Sequence, residues 1–252
     1  MTHTLYRGDC LDILPTLPAQ SVDAIIADPP YGTTACKWDS VIPLEPMWRE
    51  LKRVIKPNGA IALFGSQPFT SVLVSSNVGW FRHEWVWEKS KAASFALCNI
   101  RPMQVAEYVT VFGYPSINYY PQMEALAAPY VRVFEGNKIF TQRHETAPLA
   151  SDLPTEKEYT HSYPRNVVRF SNVFGGKVHP TQKPVELLRY LVRTYTNPGE
   201  TVLDFTMGSG TCGVACAMEG RHFIGVELDA GYYDIAQRRI EQVQPALMEA
   251  AD

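Results

Sequence analysis

The chain has no long hydrophobic run. None of its apolar stretches approaches the roughly 18–20 residues that a membrane-spanning helix requires. The first ten residues, MTHTLYRGDC, lack the apolar core of a secretory signal peptide. Internal repeats and low-complexity tracts are also missing, which argues against repeat architectures. These absences predict a protein without membrane contacts, and the expected location is the cytoplasm.

Cysteine is scarce, and its spacing is unlike that of a metal site or a disulfide framework. The five cysteines stand at positions 10, 36, 98, 212 and 216, with no CxxC pair. No cluster of histidines supplies the further ligands that zinc would need. Cys212 and Cys216 would share one face of a helix as small buried thiols. We therefore predict no metal site.

Charge is nearly balanced, at −3 overall, so the chain as a whole is not attracted to a polyanion. The composition, 46% hydrophobic and 19% charged, is that of a soluble globular protein. A length of 252 residues suits one large domain, or one domain with a sizeable insertion.

Strand and helix patterns alternate over most of the chain. Short apolar runs predict buried strands at residues 23–27, AIALFGS, HEWVWEKS, AEYVTVFG, TVLDF and HFIGVELD. Amphipathic patterns with end signals predict helices at EPMWRELKRVIKPNG, PVELLRYLVRTYT, TCGVACAME and AGYYDIAQRRIEQVQ. This order predicts an α/β fold with a doubly wound, mainly parallel sheet and helices on both faces. Residues 114–178, rich in Tyr and Pro, show no sustained period and predict an irregular insertion within a single domain, 1–252.

A glycine loop follows the TVLDF strand. Gly208, Ser209 and Gly210 stand where the strand ends and the next helix begins. Glycines allow a ligand to approach the backbone, and a helix N-terminus offers free N–H groups. Glu227, at the end of the following strand, can accept hydrogen bonds from both hydroxyls of a ribose. The unit therefore predicts an adenosine-containing cofactor. GSGTCG also fits the dinucleotide pattern, with Gly213 third, so this segment alone leaves an NAD enzyme open.

The sequence DPPY at residues 28–31 favours a different chemistry. An exocyclic amino nitrogen is a poor nucleophile because its lone pair is conjugated into the ring. The Asp28 carboxylate and the Pro29 carbonyl can accept its two hydrogens and free that lone pair. The fixed φ of Pro29 and Pro30 holds these acceptors in place. Tyr31 can stack on the ring. The stretch predicts transfer to an amino nitrogen.

Together these motifs resemble the amino-group DNA methyltransferases that use S-adenosyl-L-methionine (SAM). DPPY is similar to their catalytic motif, and DFTMGSGT is similar to their cofactor loop. The catalytic motif precedes the variable segment and the cofactor loop, which is the permuted order of the beta class. The resemblance implies a Rossmann-like sheet with the Asp28 and Asp204 strands as neighbours. It implies catalytic roles for Asp28, Pro29, Pro30 and Tyr31, and cofactor contacts for Asp204, Phe205, Gly208, Ser209, Gly210, Thr211 and Glu227.

Two further motifs extend the resemblance, which covers roughly residues 1–113 and 179–245. HPTQKP is similar to the segment near the methionine part of the cofactor, which implies cofactor roles for Thr181 and Lys183. YRGDCLDIL is similar to the motif near the adenine of the cofactor, with Asp9 as the contact. Trp38 and Phe64 are candidates for the wall of the target-base pocket, and core packing is an equal explanation for each.

The resemblance implies methyl transfer from SAM to the N6 of an adenine flipped out of double-stranded DNA. Asp in the first position of the motif goes mainly with adenine, and Ser is more typical of cytosine N4 enzymes. Cytosine N4, an RNA base and a protein glutamine amide stay open as acceptors. A cofactor-binding regulatory module without catalysis is the remaining alternative.

The 114–178 segment is then expected to recognise the DNA target. It contains six basic side chains that suit phosphates or guanine edges, Arg132, Lys138, Arg143, Arg165, Arg169 and Lys177. Because the segment is short, and members of this class are often dimers, a homodimer is a further expectation. A standalone, phage-borne or regulatory methylase and one from a restriction–modification system are equally compatible with these residues, so the sequence leaves open whether a restriction endonuclease partner exists.

Overall fold

The structure is a computed structural model that describes residues 2–33, 39–93, 95–133, 156–173, 178–179 and 181–243. The strands are β1 His3–Arg7, β2 Val22–Ala27, β3 Ile55–Gly65, β4 Phe81–Ala93, β5 Gln104–Phe112, β6 Glu124–Val133, β7 Glu156–Ser162, β8 Val167–Phe170, β9 Thr201–Asp204 and β10 His222–Glu227. The helices are α1 Cys10–Ile13, α2 Leu44–Val54, α3 Phe69–Ser75, α4 Val185–Tyr195, α5 Thr211–Glu219 and α6 Ala230–Glu241. In the described part of the chain, none of the helices has the length and apolar character needed to cross a membrane.

The larger of two compact units comprises Met1–Tyr120 and Asn166–Asp252. Its eight-stranded sheet has the order β1-β10-β9-β2-β3-β5-β4-β8. The run from β1 to β3 is parallel, whereas β5 is antiparallel to both β3 and β4. This arrangement is the doubly wound, mainly parallel sheet that the sequence predicts.

Helices cover both faces of this sheet, and each face has its own hydrophobic core. One core joins the sheet to α4, α5 and α6 through buried residues such as Leu187, Cys216 and Ile240. The other joins it to α1, α2 and α3 through residues such as Cys10, Leu51 and Leu73. All six residues of β2 are buried, because a central parallel strand is covered on both faces.

The sheet has a switch point between β2 and β9. Ala24 pairs with Val202, and Ile25 pairs with Leu203. From this pair the chain continues to β3 on one side and to β10 on the other. In open α/β sheets, ligands bind at the carboxyl ends of the strands at such a point. The neighbouring positions of the Asp28 and Asp204 strands, which the resemblance implies, are confirmed.

The structure differs most from the predicted element boundaries in two places. Helix α2 ends at Val54, and β3 begins at the next residue, so the Pro57-Asn58-Gly59 signal lies inside the strand and not at the helix end. The 114–178 segment is not wholly irregular, because β6, β7 and β8 lie within it.

The smaller unit, Pro121–Arg165, contains the antiparallel pair of β6 and β7. The rings of Tyr130 and Tyr159 stack across this pair, with centroids 5.2 Å apart. The residues of β7, EKEYTHS, are mostly exposed. A ribbon with water on both faces needs no alternation of apolar and polar residues, so its strands leave no periodic signal in the sequence.

Candidate active site

A cavity of about 730 Å³ opens at the carboxyl ends of β2, β9 and β10. Most of the residues singled out in the sequence line it: Asp9, Asp28, Pro29, Pro30, Tyr31, Phe64, Thr181, Lys183, Asp204, Phe205, Gly208, Ser209, Thr211 and Glu227. Gly210 is buried and is not part of the lining, and Trp38 lies outside the described residues. The fold thus brings together motifs that are separated by nearly the whole chain.

The glycine loop is built around two left-handed backbone positions, which favour glycine. Gly208 has a φ of +51°, and Gly210 has a φ of +77°. A Cβ on Gly210 would lie 2.8 Å from the Cβ of Ala236, so this glycine allows α5 to pack closely against α6. Gly208 faces the cavity, where the nearest atoms to an added Cβ are those of the His179 ring at 3.8 Å. Gly208 is therefore the position at which a ligand can approach the backbone.

An arginine on α6 fixes the same loop, and the sequence analysis missed it. The guanidinium of Arg239 donates to the carbonyl oxygen of Ser209 at 2.5 Å and to its Oγ at 2.9 Å. A longer contact of 3.3 Å reaches the Oγ1 of Thr211. Because Arg239 is about thirty residues away and has no motif around it, only the folded structure reveals this role.

The Glu227 carboxylate lies beside the glycine loop. Its Oε2 accepts from the N–H of Gly208 at 2.8 Å, and its Oε1 accepts from the N–H of Asp229 at 2.8 Å. Burial raises the pKa of Glu227, although these N–H donors oppose the shift. Each carboxylate oxygen has a second lone pair. The group can therefore accept further hydrogen bonds from a ligand in the cavity.

Asp204, at the end of β9, is almost completely buried. Its Oδ1 accepts from the N–H of Thr206 at 3.1 Å. Burial raises its pKa well above the ordinary value, and the nearby charges of Asp28 and Glu227 act in the same direction. A positive charge bound in the cavity would oppose this rise and favour the ionised form of Asp204.

The DPPY loop is held by an aspartate that the sequence analysis did not single out. Asp39 is buried, and its Oδ1 accepts from the N–H groups of Tyr31 and Gly32 at 2.8 and 2.9 Å. Its Oδ2 accepts from the N–H of Thr33 at 2.9 Å. The ring of Tyr31 stacks on Phe69, with centroids 5.3 Å apart, so one face of the tyrosine is covered.

The Asp28 carboxylate has a hydrogen-bond donor on each oxygen. The Tyr31 hydroxyl donates to Oδ1, and the Lys183 ammonium lies 2.5 Å from Oδ2. Lys183 also contacts Glu107 at 2.9 Å, and Glu107 pairs with Lys89 at 2.5 Å. Glu107 and Lys89 line the cavity and were missed in the sequence analysis.

Burial and the neighbouring charges shift the pKa of Asp28, Glu107 and Lys183. Burial raises the pKa of Asp28, Glu107 raises it further, and Lys183 opposes both. Burial also acts against ionisation of Glu107, but Lys183 and Lys89 outweigh it and lower its pKa. For Lys183, burial favours the neutral amine, yet the two carboxylates outweigh burial and raise its pKa. The lysine is therefore a buried cation at neutral pH.

Three residues implied by the resemblance have other partners in the structure. The Asp9 carboxylate caps α1 by accepting from the N–H of Leu11 at 2.8 Å. The N–H of Thr181 donates to Nδ1 of His179 at 3.2 Å. The Lys183 ammonium, expected near the methionine part of the cofactor, pairs with the Asp28 carboxylate. Burial, together with Lys183, lowers the pKa of His179 to about 4, so this imidazole is neutral at pH 7.

The other candidates are placed as follows. Phe64 is buried at the end of β3, and the Lys183 ammonium lies 5.1 Å from its ring centroid. Among the basic candidates for DNA contacts, Arg169 pairs with Glu88 at 2.8 Å. Arg132 and Arg165 lie in the smaller unit. Lys138, Arg143 and Lys177 are outside the described residues.

Comparison with known proteins identifies the kind of enzyme. Residues 22–238 match a DNA methylase family of N6 and N4 methyltransferases. The chain is 25% identical over 280 residues to the type II methyltransferase M.HinfI of Haemophilus influenzae, an alignment that covers 96% of this chain and 69% of M.HinfI.

Solved structures show a similar fold. The complex of M1.HpyAVI with SAM superposes with a TM-score of 0.62 and 24% identity, covering 94% of this chain and all of that one. The cytosine-N4-specific PvuII DNA methyltransferase superposes with a TM-score of 0.66 and 17% identity, covering 97% of this chain and 89% of that one.

Proposed function

The chain belongs to the DNA methylase family of SAM-dependent amino-group methyltransferases, and from that premise we propose that the atom it methylates is the N6 of adenine in double-stranded DNA. The observation that supports adenine is the aspartate at the first position of the DPPY motif, Asp28. Members of the family with serine there are more typically cytosine N4 enzymes. Asp28 lines the cavity and keeps free acceptor capacity on both oxygens.

The cavity fits the cofactor. SAM supplies an electrophilic methyl group on a sulfonium, which carries positive charge. The carboxyl groups of Asp28, Asp204 and Glu227 line the same cavity, and the bound positive charge would favour their ionised forms. Glu227 would hold the ribose hydroxyls with its remaining lone pairs. Gly208 would let the cofactor pass close to the backbone.

The target amino group would be activated by the DPPY loop. The Asp28 carboxylate and the Pro29 carbonyl would accept its two hydrogens and draw the nitrogen toward a tetrahedral geometry. These contacts strengthen as the nitrogen loses its conjugation, so they stabilise the transition state more than the ground state. A neutral amino group is a very weak acid, so Asp28 would accept a hydrogen bond during attack. Proton loss would follow methyl transfer.

The target adenine must leave the helix to reach such a cavity, at a cost of a few kcal/mol. The Tyr31 ring, fixed on Phe69, would present its remaining face to the base. We propose residues 114–178 as the segment that recognises the DNA target. A homodimer would extend that short segment. Full activity in a species that sediments as a stable monomer would contradict the dimer.

The direct test is to sequence DNA from cells that overproduce the protein, reading modified bases as well as the recognition sequence. We expect N6-methyladenine at one defined sequence, and none when the Asp28→Ala variant is produced. The matched control is Asp234→Ala, which removes an exposed carboxylate on α6 and should methylate DNA normally. Detection of N4-methylcytosine instead would contradict the adenine proposal and support the cytosine alternative. The cytosine-N4-specific PvuII enzyme has a similar fold.

A further inference from the structure

Four side chains of alternating charge run from the catalytic loop into the sheet. They are Asp28, Lys183, Glu107 and Lys89, joined by contacts of 2.5, 2.9 and 2.5 Å. The two central groups are the most enclosed, since the exposed fraction of the side chain is 9% for Lys183 and 8% for Glu107. They come from different parts of the chain, so the fold itself assembles this row.

We propose that Lys183 and Glu107 are positioning residues for methyl transfer. Glu107 anchors the Lys183 ammonium, and Lys183 holds the Asp28 carboxylate ionised and correctly aimed as an acceptor for the target amino group. The inference rests on the proposed role of Asp28, and it deepens that role by giving Lys183 a function other than the cofactor contact that HPTQKP implies and by adding Glu107, which lies in no motif.

The geometry explains why an anchor is needed. A lysine side chain is a flexible stem with a point charge at its end, so it aims poorly by itself. Here the ammonium is fixed by two carboxylates and lies 5.1 Å from the ring centroid of Phe64 and 5.8 Å from that of Tyr31. With Tyr31 on one oxygen and Lys183 on the other, the Asp28 carboxylate cannot rotate without losing a bond.

The charges around Asp28 explain why Lys183 is needed to keep its carboxylate ionised. Burial raises the pKa of Asp28, and Glu107 acts in the same direction. Asp204, another acid at the cavity, interacts unfavourably with Asp28. Among the described residues, Lys183 is the cation that pairs with Asp28, since Lys89 pairs with Glu107 and His179 is neutral at pH 7. Lys183 therefore offsets an environment that would otherwise protonate the carboxyl.

Removal of each partner should move the pH dependence in opposite directions. Without Lys183, a proton would be taken up by one of two neighbouring carboxylates. Because Glu107 keeps Lys89, the proton would go to Asp28, and a protonated carboxyl loses acceptor capacity. Without the charge of Glu107, Asp28 loses a repulsive neighbour and keeps Lys183, so its ionised form is favoured.

The test is single-turnover methylation of DNA as a function of pH, with SAM affinity measured separately by calorimetry. For Lys183→Met we expect the acid limb of the profile to move to higher pH. We also expect the neutral-pH rate to fall by roughly 100-fold, with SAM affinity within a few-fold of wild type. For Glu107→Gln we expect the acid limb to move to lower pH with most of the rate kept, because the amide oxygen can still accept from Lys183. Glu107→Ala, which removes that oxygen, should lose about tenfold in rate. Glu107→Gln should therefore be the faster of the two variants.

Two variants outside the cavity control for lost stability. Glu50→Gln removes another buried carboxylate that bridges two cations, Arg49 and Arg53, and Lys56→Met breaks the pair with Asp23. Neither should move the acid limb. Loss of SAM affinity in Lys183→Met with an unmoved limb would overturn the proposal and return Lys183 to the cofactor. Should Lys183→Met fail to fold, an unmoved limb in Glu107→Gln would overturn it alone. Both readouts use whichever base the wild-type enzyme methylates, so they are independent of the choice of adenine.

Discussion

The backbone N–H of Gly208 donates to Oε2 of Glu227 at 2.8 Å, so the glycine loop and the acid after β10 hold each other in place. Two residues of α6 also hold this loop. Ala236 packs against Gly210, and the guanidinium of Arg239 donates to the carbonyl oxygen of Ser209. Because these contacts already hold the glycine loop, a ligand that binds there needs to order it little, which favours affinity.

Gly208→Val should abolish tight SAM binding. The substitution directs a branched side chain into the cavity at the place where the cofactor would approach the backbone, and its φ of +51° adds strain of about 1–3 kcal/mol to the fold. The clash weakens binding, and each 1.4 kcal/mol of lost binding free energy corresponds to about a tenfold weaker affinity. Calorimetry with SAM measures the effect directly.

The control for backbone strain is Gly199→Val. Gly199 has a φ of +82°, but it lies in a turn before β9 and does not line the cavity. This variant should lose stability and keep its affinity for SAM. Unchanged affinity in Gly208→Val would remove the loop from the cofactor site.

Arg239→Met should weaken SAM binding without touching the cavity itself. The variant removes the donors that hold the carbonyl and hydroxyl of Ser209, so the loop has more conformations to lose when the ligand binds. We expect an affinity about tenfold lower, measured by calorimetry, since each immobilised group contributes on this scale. The matched control is Arg238→Met, which removes a guanidinium that donates to the Asp234 carbonyl oxygen within α6, and it should bind SAM normally. Equal affinities in the two variants would contradict the role of Arg239.

Tyr195→Phe should destabilise the fold. The hydroxyl of this fully buried tyrosine accepts from the indole N–H of Trp85 at 2.6 Å and lies 2.8 Å from Nε2 of His83. Its removal leaves the indole without an acceptor, which costs about 1–3 kcal/mol. Urea denaturation measures the free energy of unfolding.

Tyr233→Phe serves as the comparison for that experiment. The Tyr233 hydroxyl reaches the carbonyl oxygen of Leu5 at the longer distance of 3.4 Å, and the side chain is only half-buried. Its loss should therefore change the free energy of unfolding by less than the loss of the Tyr195 hydroxyl does. Equal changes in the free energy of unfolding would contradict a particular stabilising contribution of the hydrogen bond between Tyr195 and Trp85.

The parallel strands β2, β3, β9 and β10 could be predicted because each combines an apolar run with a local end signal, whereas β1, HTLYR, has no such run and was not predicted. Asp28 and Gly208 could be found for the same reason, since prolines and glycines directly after a buried strand are unusual. Arg239 could not, because it acts on Ser209 from thirty residues away. The strands β6 and β7 also left no signal, because water covers them on both faces.

Glu107 is an intermediate case. It is a charged residue in an otherwise apolar strand, QVAEYVTVF, and its burial without a partner would be very unfavourable. That pattern indicates a buried ion pair. The identity of the partners depends on the pairing of β5 with β4 and on the segment before α4, which the sequence does not reveal.

Asp39→Ala should slow methyl transfer and leave SAM binding intact. The Asp39 carboxylate fixes the N–H groups of Tyr31, Gly32 and Thr33, and these residues directly follow the proposed acceptors. A displacement of about 1 Å at a reacting group lowers the rate by roughly 100-fold. The glycine loop does not contact Asp39 through any of these bonds, so cofactor affinity should stay within a few-fold. Single-turnover methylation and calorimetry separate the two effects.

Two variants sharpen this last prediction. Asp39→Asn keeps an oxygen at Oδ1, which accepts from both Tyr31 and Gly32, but it places an amide donor against the N–H of Thr33. Its rate should therefore fall between those of wild type and Asp39→Ala. Asp12→Ala, which removes an exposed carboxylate on α1, should methylate normally. A wild-type rate in Asp39→Ala would mean that the prolines and the stacking of Tyr31 on Phe69 are sufficient to hold the loop.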